Sequence, residues 1–170
     1  MNIDHDDPTA IPIEFDPRKQ RMVGVAVHGH TPFDVPYMSE LAPNLWQGGC
    51  QDGLILPHNI DKVLSLYPWE KYTIEREDVE RVEIEMYDST RQGFHQVFEL
   101  ARLINDWRAD GNTVLVHCQA GLNRSGLVAA VALLESGEAK RGVDAVKMVR
   151  DKRSPACLCN PAFEEYLFSL

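Results

Sequence analysis

The 170-residue sequence contains no hydrophobic run long enough to cross a membrane. Its longest apolar stretch, residues 127–134, is far shorter than the ~20 residues that a transmembrane helix needs. No apolar segment of signal-peptide length precedes the cysteines, so we expect a chain of the reducing cytoplasm. The lack of internal repeats and low-complexity tracts also argues against a solenoid or a fibrous protein.

Basic residues are scarce, because 17 Lys and Arg stand against 26 Asp and Glu, for a formal net charge of −9. Nucleic acid and anionic membranes repel such a chain, so neither is an expected general partner. The four cysteines also lack the spacing of a zinc site, since one residue separates Cys157 from Cys159 and no second close pair exists. We therefore expect no metal and no other cofactor.

One stretch of the sequence carries a dense chemical pattern. The strand-like run from Val114 to His117 leads into Cys118, and an apolar, helix-like run follows Arg124. A loop between a strand and a helix start collects unpaired N–H groups and the positive end of the helix dipole. The loop is therefore suited to bind an anion of phosphate size.

The side chains of this loop suit phosphate chemistry. Cys118 is expected to be a thiolate nucleophile, because the helix N-terminus and the Arg124 guanidinium both stabilise its charged form. Arg124 can hold two phosphoryl oxygens at once, Ser125 can assist the departure of the thiolate, and His117 orients the loop. The expected phosphate-binding residues are Gln119, Ala120, Gly121, Leu122, Asn123 and Arg124.

A core cysteine followed by a surface arginine is the plainer interpretation of this stretch. It is disfavoured, because a cation at a helix N-terminus opposes the dipole unless it faces an anion.

The run of His117-Cys118, five residues and Arg124-Ser125-Gly126 resembles the signature of the cysteine-dependent protein phosphatases, closest to the dual-specificity branch. The resemblance extends over residues 39–170, which we expect to be the catalytic domain. Residues 1–38 have no counterpart in the family, and we expect them to form a partly mobile N-terminal arm. Within this arm, only residues 22–27 resemble a strand.

The family resemblance also implies a proton donor before the cysteine. In such phosphatases an aspartate some thirty residues upstream protonates the leaving oxygen, and Asp88 has this spacing from Cys118. Asp88 also opens a polar, turn-like segment after a strand-like run. The alternative is a turn aspartate, or an N-cap for the helix beginning near Gln92. Asp78 precedes the strand and fits less well.

The resemblance implies a two-step reaction without metal. Cys118 attacks phosphorus while Asp88 protonates the departing alcohol, and water then hydrolyses the phosphocysteine with Asp88 as base. The expected substrates are proteins or peptides that carry phosphotyrosine, phosphoserine or phosphothreonine, and the default state is a monomer.

Two other functions stay open. Asn123 before Arg124 resembles the loop of RNA 5′-triphosphatases, which leaves a nucleic acid 5′-phosphate as a possible substrate. A phosphopeptide-binding module without turnover is the second alternative. Cys50 offers a further option, a disulfide with Cys118 under oxidation, although a half-buried thiol is the simpler interpretation.

The order of elements predicts an α/β fold. Parallel strands need helical crossovers, so a central mixed, mainly parallel sheet flanked by helices is expected, as the resemblance also implies. Asn160 before Pro161 is typical of a helix start. The strands are expected near 44–47, 61–67, 81–87 and 113–117, and the helices near 92–109, 125–136, 142–152 and 161–168.

Overall fold

The computed structural model describes residues 13–26 and 31–170. Its first three strands form a small antiparallel sheet: β1 (Glu14–Asp16), β2 (Arg21–Val25) and β3 (Pro32–Pro36). The sequence indicated a single strand in this region, and that number was wrong. The sequence pattern does not indicate β3, because the strand begins and ends with a proline. Proline is tolerated there because β3 is an edge strand.

The small sheet packs on the rest of the chain, because Met22, Phe33 and Val35 belong to the main hydrophobic core. The mobility expected of the extreme N-terminus concerns residues 1–12, which lie outside the described residues. The division of the chain after residue 38 stays a prediction.

A five-stranded sheet forms the centre of the fold. Its strands are β4 (Met38–Ala42), β5 (Leu45–Gly48), β6 (Lys62–Ser65), β7 (Glu80–Glu83) and β8 (Val114–His117). Their order is β4-β5-β8-β6-β7, and all pair in parallel except β4, which runs antiparallel to β5. The predicted α/β fold with a mixed, mainly parallel sheet is confirmed.

Two of the predicted strands are longer than the observed ones. The strands expected over 61–67 and 81–87 end at Ser65 and Glu83. Hydrogen bonding between the two segments nevertheless continues beyond β7, since the Ile84 N–H donates to the Ser65 carbonyl at 2.8 Å.

Four helices complete the fold: α1 (Val97–Ala109), α2 (Arg124–Glu135), α3 (Gly142–Lys152) and α4 (Pro161–Phe168). The helix expected near 92–109 starts later than predicted. Phe94 belongs to the core by stacking on Tyr166 of α4, with ring centroids 4.1 Å apart, rather than as part of the helix. Among the described residues, no helix is long and apolar enough to span a membrane.

The sheet order determines what surrounds the end of β8. Because β8 lies between β5 and β6 and runs parallel to both, the segments that follow these three strands emerge at one edge of the sheet. α2 is buried from Arg124 through Leu133, as expected of a helix that is apolar all round. The short connection from β8 to α2, residues 118–123, is called the Cys118 loop below.

Candidate active site

Cys118 is the first residue of the Cys118 loop, and its side chain lies beside that of Ser125 in α2. Its Sγ atom is 3.2 Å from Oγ of Ser125. That Oγ atom also accepts a hydrogen bond from Nε2 of Gln47 in β5, at 3.1 Å. Because Gln47 occupies an acceptor position of the hydroxyl, the Ser125 proton is available to the sulfur. This arrangement supports the predicted role of Ser125 in thiolate departure.

The backbone of the Cys118 loop leaves its N–H groups available. In the described residues, the N–H groups of residues 119–123 make no backbone hydrogen bond. Gly121 adopts a φ of +73°, and a Cβ there would lie 2.5 Å from the carbonyl carbon and oxygen of Gly48. Only glycine fits this close approach and this conformation. Such a set of N–H groups at a helix start is suited to bind an anion.

Arg153 binds two backbone carbonyls of the Cys118 loop. This buried arginine donates from Nε to the Gly121 carbonyl at 2.6 Å and from Nη2 to the Ala120 carbonyl at 3.4 Å. Its Nη1 atom donates to Oγ of Ser39 and to the Pro36 carbonyl, each at 3.2 Å. Since C=O and N–H point in opposite directions across a peptide plane, the amides that follow these carbonyls face away from Arg153.

Replacing Arg153 by methionine should therefore cost stability. Met fills part of the volume but leaves the buried Gly121 carbonyl without its charged donor, a loss of about 1.5–3 kcal/mol in the free energy of unfolding. Urea unfolding measures the change. Arg102→Met is the matched control, because that arginine is exposed on α1 and should change stability by less than about 0.5 kcal/mol. Equal stability of the two variants would show that the Arg153 contacts contribute nothing.

His117 joins β8 to the loop through both ring nitrogens. Nδ1 donates to the Cys118 carbonyl at 3.2 Å, and Nε2 accepts from the Tyr72 hydroxyl at 2.9 Å. The carbonyl can only accept, so Nδ1 carries the proton. Burial lowers the pKa of His117 to about 3, so the ring is neutral at physiological pH. This geometry supports an orienting role.

Arg124 is fixed by contacts on two sides. It is buried, donates from Nη1 to the Met86 carbonyl at 3.3 Å, and places its guanidinium 5.0 Å from the centroid of the Tyr67 ring. Tyr67 is followed by Trp69 and Tyr87, with centroid separations of 4.8 Å and 6.2 Å along the row. We call these three the aromatic row. It leads from buried Arg124 to the exposed rings of Trp69 and Tyr87.

Asp88 lies against the Cys118 loop and is fully buried. Its Oδ2 accepts from the Asn123 amide and its Oδ1 from the Asn160 amide, both at 2.8 Å. The alternative interpretation of Asp88 as a helix cap is wrong, because the N-cap of α1 is Gln96. Asp88 instead ties the segment after β7 to the loop and to the start of α4.

The family model of the dual specificity phosphatase catalytic domain matches residues 50–170. The chain belongs to this family.

Individual proteins agree with the assignment to the dual-specificity phosphatase family. The chain is 30% identical over 118 residues to "Putative tyrosine phosphatase 123R" of Invertebrate iridescent virus 6, an alignment that covers 68% of this chain and 80% of the viral protein. It is 38% identical over 64 residues to human protein tyrosine phosphatase type IVA 3, covering 32% of this chain and 36% of that relative. The crystal structure of human DUSP28 superposes with a TM-score of 0.66 at 16% identity, over 79% of this chain and 92% of that chain.

The four cysteines of this dual-specificity phosphatase domain are free thiols. Cys50 is fully buried rather than half-buried, and its N–H donates to the Gln119 carbonyl of the loop at 2.7 Å. Burial raises its pKa far above the usual thiol range. A redox pair with Cys118 stays a prediction. Within residues 13–26 and 31–170, no three His, Cys, Asp or Glu side chains cluster as a metal site requires.

Two residues of the phosphatase site were missed by sequence reasoning. Gln47 donates from Nε2 both to Ser125 and to the Gly121 carbonyl, the latter at 3.0 Å. Arg153 received no role from the sequence. Gln47 and Arg153 both donate to the backbone carbonyl of Gly121, and a sequence pattern does not indicate such a contact.

Proposed function

We propose that this domain hydrolyses phosphomonoesters of tyrosine and of serine or threonine in proteins, through a phosphocysteine intermediate. The observation that carries the proposal is the 3.2 Å contact between Cys118 Sγ and the Ser125 hydroxyl, at the start of a loop with available N–H groups. A thiol in this position meets the two requirements of such a nucleophile, an electropositive surrounding and a donor to the departing sulfur.

The reaction proceeds in two displacements at phosphorus. Cys118 attacks in line, forming the S–P bond as the O–P bond of the ester breaks, and Asp88 gives its proton to the leaving oxygen. Water then attacks phosphorus, Asp88 takes a water proton, and the thiolate leaves with a hydrogen bond from Ser125. Arg124 and the loop N–H groups stabilise the negative charge in both transition states.

The aromatic row favours phosphotyrosine among the proposed substrates. Trp69 and Tyr87 have exposed fractions of 38% and 48%, and the row ends at the arginine that would hold the phosphoryl group. Aromatic side chains bind a flat ring through offset or edge-to-face contacts. Alkyl phosphates of serine and threonine offer no such ring.

The RNA 5′-triphosphatase alternative has less support. It rested on Asn123, whose amide is engaged with Asp88 at 2.8 Å and with Cys159 Sγ at 3.3 Å. This side chain is therefore a link within the protein rather than a ligand for further phosphates.

The test is hydrolysis with EDTA present, from pH 5 to 8, of phosphotyrosine peptide, phosphoserine peptide and RNA 5′-triphosphate. The proposal requires release of phosphate from at least one phosphopeptide, with phosphotyrosine preferred. Turnover of the RNA alone would favour the triphosphatase. Tight binding of a phosphopeptide without release of phosphate would favour a binding module.

The acid role of Asp88 has its own test in Asp88→Asn. The new amide would face an amide donor of Asn123 or Asn160, so we expect a loss of about 1–3 kcal/mol in the free energy of unfolding. Loss of the proton donor should also lower kcat/KM, which reports the first displacement, about 10²-fold or more with phenyl phosphate, and far less with 4-nitrophenyl phosphate, whose leaving group needs no proton.

The exposed Asp106 on α1 supplies the matched control, Asp106→Asn, which should change neither quantity. If Asp88→Asn lowers kcat/KM equally for both esters, the residue is not the proton donor and has the structural role seen in its contacts with the two asparagines.

A further inference from the structure

Glu70 lies at the edge of the Cys118 loop, in the segment between β6 and β7. Its side chain is hydrogen-bonded to that of Gln119, the residue after Cys118. The Glu70 carbonyl accepts from the Cys50 thiol at 3.5 Å, and the Lys71 N–H donates to Oδ1 of Asp52 at 2.8 Å. These contacts hold the segment, and with it the Glu70 carboxyl group, against the loop.

One oxygen of this carboxyl group lacks a partner. Oε2 of Glu70 is buried and makes no hydrogen bond to any described residue. Burial raises the pKa of Glu70 to about 7 and Asp52 acts in the same direction, while the Gln119 hydrogen bond and the charge of Arg124 oppose them. Below that pH the group is a neutral acid, and a buried O–H without an acceptor is unfavourable.

A phosphoryl group bound in the loop would supply the missing acceptor. Its oxygens accept hydrogen bonds, and Arg124, which would hold it, lies close enough to act on Glu70. A phosphoryl dianion already brings more negative charge than Arg124 neutralises. A further carboxylate would repel the dianion strongly in this buried surrounding, whereas a carboxylic acid would bind it.

We propose that Glu70 is a further substrate-binding residue, which donates a hydrogen bond from Oε2 to a phosphoryl oxygen as a neutral carboxylic acid. This inference rests on the proposed function, since it names a contact of the same site. The proposal also predicts that the site binds a dianion while Glu70 stays protonated.

The sign of the pH dependence follows from that proton. Glu70 is protonated below about pH 7 and ionised above it, so anion binding is strong at pH 6 and weakens as the pH rises. If only the protonated form binds, the apparent Kd increases about tenfold between pH 6 and 8. The other groups that face Glu70 are Asp52, Cys50, Gln119 and Arg124.

The probe is tungstate, a phosphate analogue that stays a dianion over this range. Its Kd is measured by calorimetry at pH 6, 7 and 8 on the full chain with Cys118→Ser, which removes the nucleophile. Glu70→Gln is then added to this background. The amide keeps a donor but cannot ionise, so Kd should stay constant within about twofold where the parent changes about tenfold.

Two further variants complete the experiment. Glu77→Gln, at an exposed glutamate of the same segment, should retain the tenfold change of the parent. Glu70→Ala removes donor and charge together, so it should bind tungstate more weakly than the parent at pH 6 and without the pH dependence. The proposal is overturned if the Glu70 variants keep the parental pH dependence, or if Glu70→Ala binds as well as the parent at pH 6.

Failure of the proposed function gives a different result. A natural chain that binds tungstate with the Glu70-dependent profile, yet hydrolyses no phosphomonoester, contradicts the phosphatase proposal and leaves the anion contact of Glu70 in place.

Discussion

Replacing Cys118 by serine is expected to lower kcat for 4-nitrophenyl phosphate by roughly 10⁴-fold or more, with EDTA present from pH 5 to 8. The hydroxyl of serine stays protonated in this range and is a weak nucleophile without an adjacent base. The neighbouring His117 does not serve as that base, because its Nδ1 carries the proton donated to the Cys118 carbonyl and its Nε2 lone pair accepts from the Tyr72 hydroxyl. The variant should stay folded, since a buried sulfur is exchanged for a smaller oxygen.

The matched control for this prediction is Cys159→Ser. Cys159 accepts from the Asn123 amide at 3.3 Å, and a serine hydroxyl can accept the same hydrogen bond. Its kcat should therefore remain within a few-fold of the parent. Activity that persists in Cys118→Ser and disappears in Cys159→Ser would place the nucleophile elsewhere and overturn the proposed mechanism.

Local signals predicted the elements that carry the site. Asn160 was expected to cap a helix that starts at Pro161, and its side chain accepts from the Ala162 N–H at 3.1 Å. The strand before Cys118 and the helix from Arg124 also follow the expected order. Helix caps, proline positions and apolar runs are local signals, because they depend only on residues that are close in the sequence. They can therefore be predicted without the fold.

Elements of weak local pattern were missed or misplaced. β3 escaped prediction because Pro32 and Pro36 are more typical of loops, although an edge strand accepts them. The start of α1 was placed too early, because Phe94 continues the apolar spacing of the helix. Its ring stacks on Tyr166 from a turn before the helix, and such a contact is decided by tertiary packing.

The contacts that shape the site join distant parts of the chain. The hydrogen bond from Gln47 to Gly121 spans 74 positions, and that from Arg153 to Gly121 spans 32. Their existence depends on β5 lying next to β8 and on where α3 ends. Sequence reasoning identified the reacting groups, whose type alone indicates chemistry. It missed Gln47 and Arg153, which act through their position in the fold.

Replacing Arg124 by lysine should lower kcat/KM about 10²–10³-fold, the size of effect found when a transition-state donor is removed. Lysine keeps the charge but lacks the planar pair of donors that holds two phosphoryl oxygens, and an ammonium is a poorer match for the Tyr67 face. Steady-state kinetics with 4-nitrophenyl phosphate measures the change. Arg102→Lys, an exposed site on α1, is the matched control and should leave kcat/KM unaltered.

The two substitutions at the loop should separate binding from chemistry. Cys118→Ser removes the nucleophile and leaves the anion-binding groups, so tungstate affinity should persist while turnover disappears. Arg124→Lys removes part of the phosphoryl clamp, so tungstate affinity and kcat should fall together. If Arg124→Lys instead retains kcat/KM within about threefold, the loop N–H groups alone stabilise the transferring phosphoryl group. The guanidinium would then serve mainly to hold the Met86 carbonyl and the Tyr67 ring in place.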